Sequence, residues 1–209
     1  MKGRIHLTND TAVQRMARYS TATLHEAAGK TGALPSAIKP VAPNFRLCGP
    51  AFTVSSPPMD NLMLHRAIAQ ANPGDVLVVT VSHHDEAGYW GDIMTTAAVH
   101  RGIAGLVIDG CVRDGEELER DGFPVFAKGL HIQGTSKHGG GYLNQPIALG
   151  GVVVHPGDIV VGDRDGVVVI EIGRVEAVLL NAEKRVEDER RIKEELGKGK
   201  STLEIYGWQ

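Results

Sequence analysis

The sequence predicts an α/β fold with a mixed sheet, and three observations carry that prediction. First, residues 93–101 contain no Pro or Gly and carry Met94, Ala97, Ala98 and Val99, which reads as a helix. Gly102 ends it, and 103–108 is a short, nearly continuous apolar run, the mark of a buried strand. Second, Pro-Gly-Asp occurs at 73–75 and again at 156–158, each time as a tight turn entering an apolar run. The echo is either a trace of duplication or one turn used twice. Third, short apolar segments at 147–149, 152–154, 159–161 and 167–170 follow one another closely. Their spacing suits antiparallel or mixed pairing better than repeated βαβ units.

The remaining elements follow in chain order. Residues 11–28 read as a first helix, with Thr11 as cap and Val13, Met16, Ala17, Leu24 and Ala27 roughly on one face. Gly29 and Gly32 close it. Pro35, Pro40, Pro43 and Pro50 then mark loops and short extended pieces. Residues 51–55 read as a strand, 62–71 as a helix with Leu62, Leu64, Ala67, Ile68 and Ala71 apolar, and 76–81 as a strand. The Gly-rich stretch 134–141 matches a phosphate loop in composition only. It lacks that motif's spacing and reads as a flexible loop near a subunit boundary. Residues 174–196 form a long charged helix whose apolar positions Val175, Val178, Leu179, Ala182 and Val186 cover only its first half. Such a helix projects into solvent or crosses onto another subunit.

Composition bounds the function classes. At 209 residues, 42% hydrophobic and 22% charged, the chain suits one soluble globular domain over 1–209. A net charge of −3 gives no footprint for nucleic acid, and 5% aromatics argues against base-stacking surfaces. Cys48 and Cys111 form no CxxC pair and no disulfide framework, so a reduced, cytoplasmic protein is expected. Residues 1–6 lack the apolar run of a signal peptide, and no run reaches membrane-spanning length.

The chemistry concentrates in two motifs, Trp90-Gly91-Asp92-Ile93-Met94 and Asp109-Gly110-Cys111-Val112-Arg113-Asp114. A helix that packs on the strand it feeds runs antiparallel to it. The start of the 93–101 helix, with Asp92 as cap, therefore lies at the same sheet edge as the end of the 103–108 strand. One edge then carries free backbone N–H groups, a guanidinium and two carboxylates. Helix starts bind anions, Arg matches a carboxylate bidentately, and Asp takes hard cations through oxygen. His83-His84-Asp85-Glu86, just upstream, has no His at helical i+4 spacing and reads as a solvated loop. Glu187-Asp188-Glu189 reads as a solvated helix face, unless that helix reaches a neighbouring subunit.

These motifs, with Glu117, resemble the signature of the class II 4-hydroxy-4-methyl-2-oxoglutarate / 4-carboxy-4-hydroxy-2-oxoadipate aldolases, a family that includes regulator of ribonuclease E activity A. The resemblance extends through Gly134-Thr135, Asn144-Gln145-Pro146, Gly150-Gly151-Val152, Pro156-Gly157-Asp158 and Asp163-Arg164-Asp165-Gly166-Val167. It implies an α/β/β/α sandwich of swivelling β-domain topology, assembled as trimers or hexamers. It implies aldol cleavage that releases pyruvate, dependent on Mg2+ or Mn2+, with oxaloacetate decarboxylation alongside. By the same resemblance Asp114 is the direct metal ligand and Arg113 contacts the pyruvyl group. The amides around Gly91, Ile93 and Met94 cradle its carboxylate, and Asp92 positions a water for proton transfer. A Glu from a neighbour's C-terminal helix supports the metal's waters; Glu189 is the best match, with Glu187 and Asp188 as alternatives of register. The competing expectation is a non-catalytic regulator that binds a ribonuclease.

Overall fold

The computed structural model describes residues 11–82 and 84–208. The basic, Gly-containing start and His83 lie outside the described residues. The first expected helix is two: α1 (Ala12–Met16) and α2 (Thr21–Ala27). Thr11 caps α1 in a capping box with Gln14, as its position suggested. Ser20 restarts the chain by accepting from the Thr23 N–H, so a second cap interrupts what periodicity alone joined.

The strands then alternate with helices. In order come β1 (Lys39–Pro40), β2 (Leu47–Ser55), α3 (Leu62–Gln70), β3 (Val76–Thr80), α4 (Asp92–His100) and β4 (Gly105–Ile108). Next are β5 (Cys111–Val112), α5 (Gly115–Asp121), β6 (Val125–Ala127), β7 (Gly129–Leu130) and β8 (Tyr142–Leu143). The chain closes with β9 (Ile147–Leu149), β10 (Val152–Val154), β11 (Ile159–Asp163), β12 (Gly166–Ile170), α6 (Val175–Gly197) and α7 (Thr202–Tyr206). The main sheet runs β1-β6-β4-β3-β2-β11-β12, with β8 also on β2. Strands β2, β3, β4 and β6 are parallel; β1, β11 and β12 join antiparallel. The sheet is therefore mixed, as the strand spacing predicted.

Strand β2 begins four residues earlier than expected because Pro50 does not break it. Residues 47–50 pair with β11, whereas 51–55 pair with β3 on the other side. Pro50 sits where one pairing hands over to the other, a place where a strand tolerates a missing N–H.

The sheet curls until its two edges nearly meet. Leu34 N–H donates to Val167 O and Val169 N–H to Gly32 O, each at 2.9 Å, while Lys39 and Pro40 pair with β6. Residues 32–40 thus tie the β12 edge to the β6 edge. Alternate residues of β11 and β12 face inward and outward, with period two. Val160, Val167 and Val169 join the large core with Phe126 and Leu77. Ile159, Val161, Val168 and Ile170 pack instead against Leu24, Val175, Val178 and Leu179 of α2 and α6. Both faces are covered, which is why these strands read as continuous apolar runs. Gly162 permits a close approach across the interior: a Cβ there would lie 2.8 Å from Phe126 Cζ. With α3, α4 and α5 on the other side, the architecture is the expected α/β sandwich.

Helix α6 spans 23 residues and is anchored by its first half, where Val175, Val178, Leu179 and Ala182 are buried. Its second half carries exposed pairs such as Arg190–Glu187 and Arg191–Glu187. Exposed i,i+3 and i,i+4 pairs contribute about 0.2–0.5 kcal/mol each, against about 1.5–3 kcal/mol for a buried aliphatic side chain. Apolar contact decides where the helix sits. No helix among the described residues is long and apolar enough to cross a membrane.

Candidate active site

The two motifs meet as the strand-and-helix geometry required. Three segments lie side by side: Tyr89 N–H donates to Cys111 O, Arg113 N–H to Trp90 O, His131 N–H to Val112 O and Gly88 N–H to Gln133 O. Trp90 fixes the platform from beneath. It is buried, its Nε1 donates to Thr95 Oγ1 at 2.7 Å, and its ring stacks on Phe123 at 5.9 Å. The start of α4 is thereby set against the end of β5.

Helix α4 begins one residue earlier than expected. Gly91, not Asp92, occupies the cap position, and Asp92 is the first helical residue. The Asp92 N–H donates to Asp114 Oδ2 at 3.0 Å, so a carboxylate from another segment caps the helix. Ile93 and Met94 keep the free N–H groups that every helix start leaves. Gly91 has ordinary extended backbone, φ −163°. Its requirement is space, because a Cβ there would overlap Asp114 Oδ2 and crowd Arg113.

Asp114 stands at φ 60°, in the left-handed region that Asp enters more readily than most residues. It precedes α5 without capping it, since its side chain is turned toward α4. Oδ2 also lies 3.6 Å from Arg113 Nε. Oδ1 has no hydrogen-bond partner among the described residues and remains available.

All of this opens into one cavity of about 510 Å³, lined by Gly91, Asp92, Ile93, Met94, Arg113 and Asp114. That size suits a small metabolite. The sequence motifs assigned no role to the cavity's other walls. Asn61 stands at the cap position of α3 and His65 within that helix, and Glu117 sits on α5, a helix the sequence did not reveal. Gly134, Thr135 and Lys137 come from the Gly-rich stretch, which is a pinned wall of the cavity rather than a free loop. Burial, then the Lys137 ammonium, holds the His65 imidazole below its usual pKa, so it is neutral at neutral pH. Asn61 Nδ2 donates to Tyr89 O at 3.0 Å, while its buried Oδ1 is unpartnered.

Among the described residues no three His, Cys, Asp or Glu side chains converge as a closed metal cage. The donors fit a hard, largely hydrated cation instead. Mg2+ is typically held by one or two carboxylates and keeps its other positions for water and substrate oxygens. Asp114, which lines the cavity and has an oxygen that no described residue occupies, meets that need. Asp85 of the upstream loop is occupied by Lys128 at 3.0 Å.

Glu189 does not reach this cavity within its own chain. It lies on α6, paired with Arg185 Nε at 3.0 Å. Glu187 and Asp188 pair with Arg190 and Arg191 on the same helix.

A family model described as RraA-like, Aldolase/RraA, matches residues 21–169. The chain belongs to the RraA-like aldolase family. A protein of Halalkalibacterium halodurans, provisionally named 4-hydroxy-4-methyl-2-oxoglutarate aldolase, is 42% identical over 156 residues, covering 75% of this chain and 74% of its own. Among solved structures, an uncharacterised protein from Pseudomonas syringae pv. tomato superposes with TM-score 0.80 at 33% identity, covering 93% of this chain and 95% of that one. A Streptomyces coelicolor protein, described as an unusual member of the RNase ES inhibitor RraA family, has TM-score 0.77 at 26% identity and covers 89% and 97%. Family membership and fold thus agree with the resemblance read from the motifs.

Proposed function

We propose that this protein is a divalent-metal-dependent lyase that cleaves a 4-hydroxy-2-oxo acid and releases pyruvate. The substrate is of the 4-hydroxy-4-methyl-2-oxoglutarate or 4-carboxy-4-hydroxy-2-oxoadipate type, and oxaloacetate decarboxylation is the companion activity. One observation carries the reading: unpaired helix-start amides, a guanidinium and a carboxylate with a free oxygen face a single metabolite-sized cavity.

The amides of Ile93 and Met94 hold the pyruvyl carboxylate, aided by the helix dipole. The Arg113 fork orients the same end of the substrate. In the forward direction the 4-hydroxyl proton passes to a water of the cavity, its oxygen becomes a carbonyl, and the C3–C4 bond breaks. The bonding electrons pass to the pyruvate enolate. Mg2+ or Mn2+ held by Asp114 supplies Lewis-acid stabilisation of that developing charge when bound. Arg113 adds a fixed positive charge beside it, which needs no reorganisation as the charge forms. Asp92, at the first position of α4, orients a water that delivers a proton to the enolate carbon. Decarboxylation of oxaloacetate passes through the same enolate, with CO2 as the departing group. In a trimer or hexamer, Glu189 of a neighbouring α6 completes the hydrogen-bonding of the site's waters.

The test is pyruvate release across a panel of 4-hydroxy-2-oxo acids and oxaloacetate, with and without Mg2+ or Mn2+. Metal-dependent release from at least one panel member is expected. The Streptomyces likeness keeps a second reading in view, a regulator that binds a ribonuclease. Capture of a ribonuclease by a protein with no turnover on the panel would establish that reading instead.

A further inference from the structure

Among the walls that the pyruvyl-binding parts leave without a role is the segment that contributes Gly134, Thr135 and Lys137. It has no helix of its own, and it ends in three successive glycines at positive φ, Gly139, Gly140 and Gly141. Such a segment keeps one shape only if something outside it imposes that shape.

That constraint comes from Asp60, which is 3% exposed. Its Oδ2 accepts from Ser136 Oγ at 3.0 Å, from the His138 N–H and from the Gly139 N–H at 3.2 Å. Its Oδ1 accepts from the Leu62 N–H at the start of α3, at 2.9 Å. Neighbouring backbone adds to the joint: Ser136 N–H donates to Met59 O at 2.7 Å and Asn61 N–H to Ser136 O at 3.1 Å. A buried carboxylate is costly unless its lone pairs are taken up. Here they are, and three of the four bonds fasten the same loop. Burial pushes the Asp60 carboxyl upward, but these hydrogen bonds outweigh it and hold the group below the usual carboxylate range.

The fastened residues Ser136 and His138 flank Lys137. The amides and Arg113 are taken by the pyruvyl end, and His65 is neutral. Lys137 is then the remaining cation among the residues lining the cavity, and both pyruvate-yielding substrate types above carry a further carboxylate beyond C4. We propose that Asp60 is a positioning residue, which clamps residues 136–139 so that Lys137 is held as the counter-charge to the substrate's distal carboxylate. The inference rests on the lyase reading above and adds to it how the substrate's far end is selected.

The experiment compares wild type, Asp60→Asn, Lys137→Met and the double variant on 4-hydroxy-4-methyl-2-oxoglutarate with Mg2+. Exchange of pyruvate methyl protons in D2O is followed in parallel, because it needs only the pyruvyl end. Asp60→Asn keeps one acceptor oxygen, but it removes the charge and sets an NH2 against either the Leu62 N–H or the three loop donors, and is expected to raise KM about tenfold or more. Its effect on the exchange rate is expected to be far smaller. Because Asp60 acts through Lys137, the double variant is expected to match Lys137→Met rather than the product of the two. If Asp60→Asn does not fold, Ser136→Ala removes one clamp bond and is expected to give a smaller KM rise with the same non-additivity. Equal losses in cleavage and exchange, or effects that multiply in the double variant, would overturn the clamp while leaving the lyase reading intact. A wild type with neither release nor exchange would overturn both.

Discussion

Asp114 is the residue on which the site turns, and its backbone shows why the sequence alone could only half reveal it. The Arg113-Asp114 pair was legible as a charged turn after a strand. That Asp114 adopts φ 60° and reaches across to cap α4 was not, because the capping partner lies in a different segment. The same bond moves Asp92 from cap to first helical residue. Gly91→Ala would place a methyl on Asp114 Oδ2. We expect it to lower kcat/KM about a hundredfold, as displacements near 1 Å do, with a circular dichroism spectrum like that of wild type. On the proposed mechanism, Arg113→Ala removes a fixed charge beside the developing enolate. The expected loss in kcat/KM is about 10²–10³, measured by coupled pyruvate release.

At the scale of elements, the helix-strand pairing of α4 and β4 was readable because local pattern and packing agree. The 103–108 apolar run, Gly102 as stop, and the antiparallel return together predicted that two distant motifs share an edge. The α1/α2 break was not readable, since a Ser cap competes with a continuous apolar stripe. The order of the Gly-rich segment is not legible locally, because it comes from Asp60, which lies far away in sequence. A comparable joint holds α2 to β11: Asp163 accepts from Thr21 N–H at 2.8 Å and Thr21 Oγ1 at 2.7 Å. Burial raises its pKa, but the Thr21 and Asp165 hydrogen bonds prevail and lower it overall. Its contribution is therefore present above the unfolded carboxylate value, about 4, and fades as pH falls from there toward the lower folded value. Asp163→Asn is expected to cost about 2 kcal/mol at neutral pH. It should also flatten the loss of stability in the acid range, as read from urea unfolding at successive pH values.

At the scale of the molecule, the nearly closed sheet explains why so many strands are apolar on both faces, a pattern the sequence displayed. Closure itself rests on residues 32–40 bonding both edges, which no local pattern announces. The cavity brings together the residues proposed for the pyruvyl end, while the acidic stretch of α6 lies elsewhere on the same chain. Glu189→Gln is thus expected to lower activity about tenfold, the scale of partners that orient metal-site waters. Mixing it with an inactive Asp114→Ala protein under exchange of subunits should partly restore turnover, because some interfaces then pair an intact Asp114 with an intact Glu189. The central claim is that Asp114 holds the cation that makes pyruvate release possible. It is tested most directly by pyruvate release from wild type and Asp114→Ala after EDTA treatment and readdition of Mg2+ or Mn2+. The account predicts that wild type loses activity with EDTA and regains it with metal, whereas Asp114→Ala is inactive throughout. An Asp114→Ala protein that turns over like wild type, or a wild type indifferent to EDTA, would contradict it.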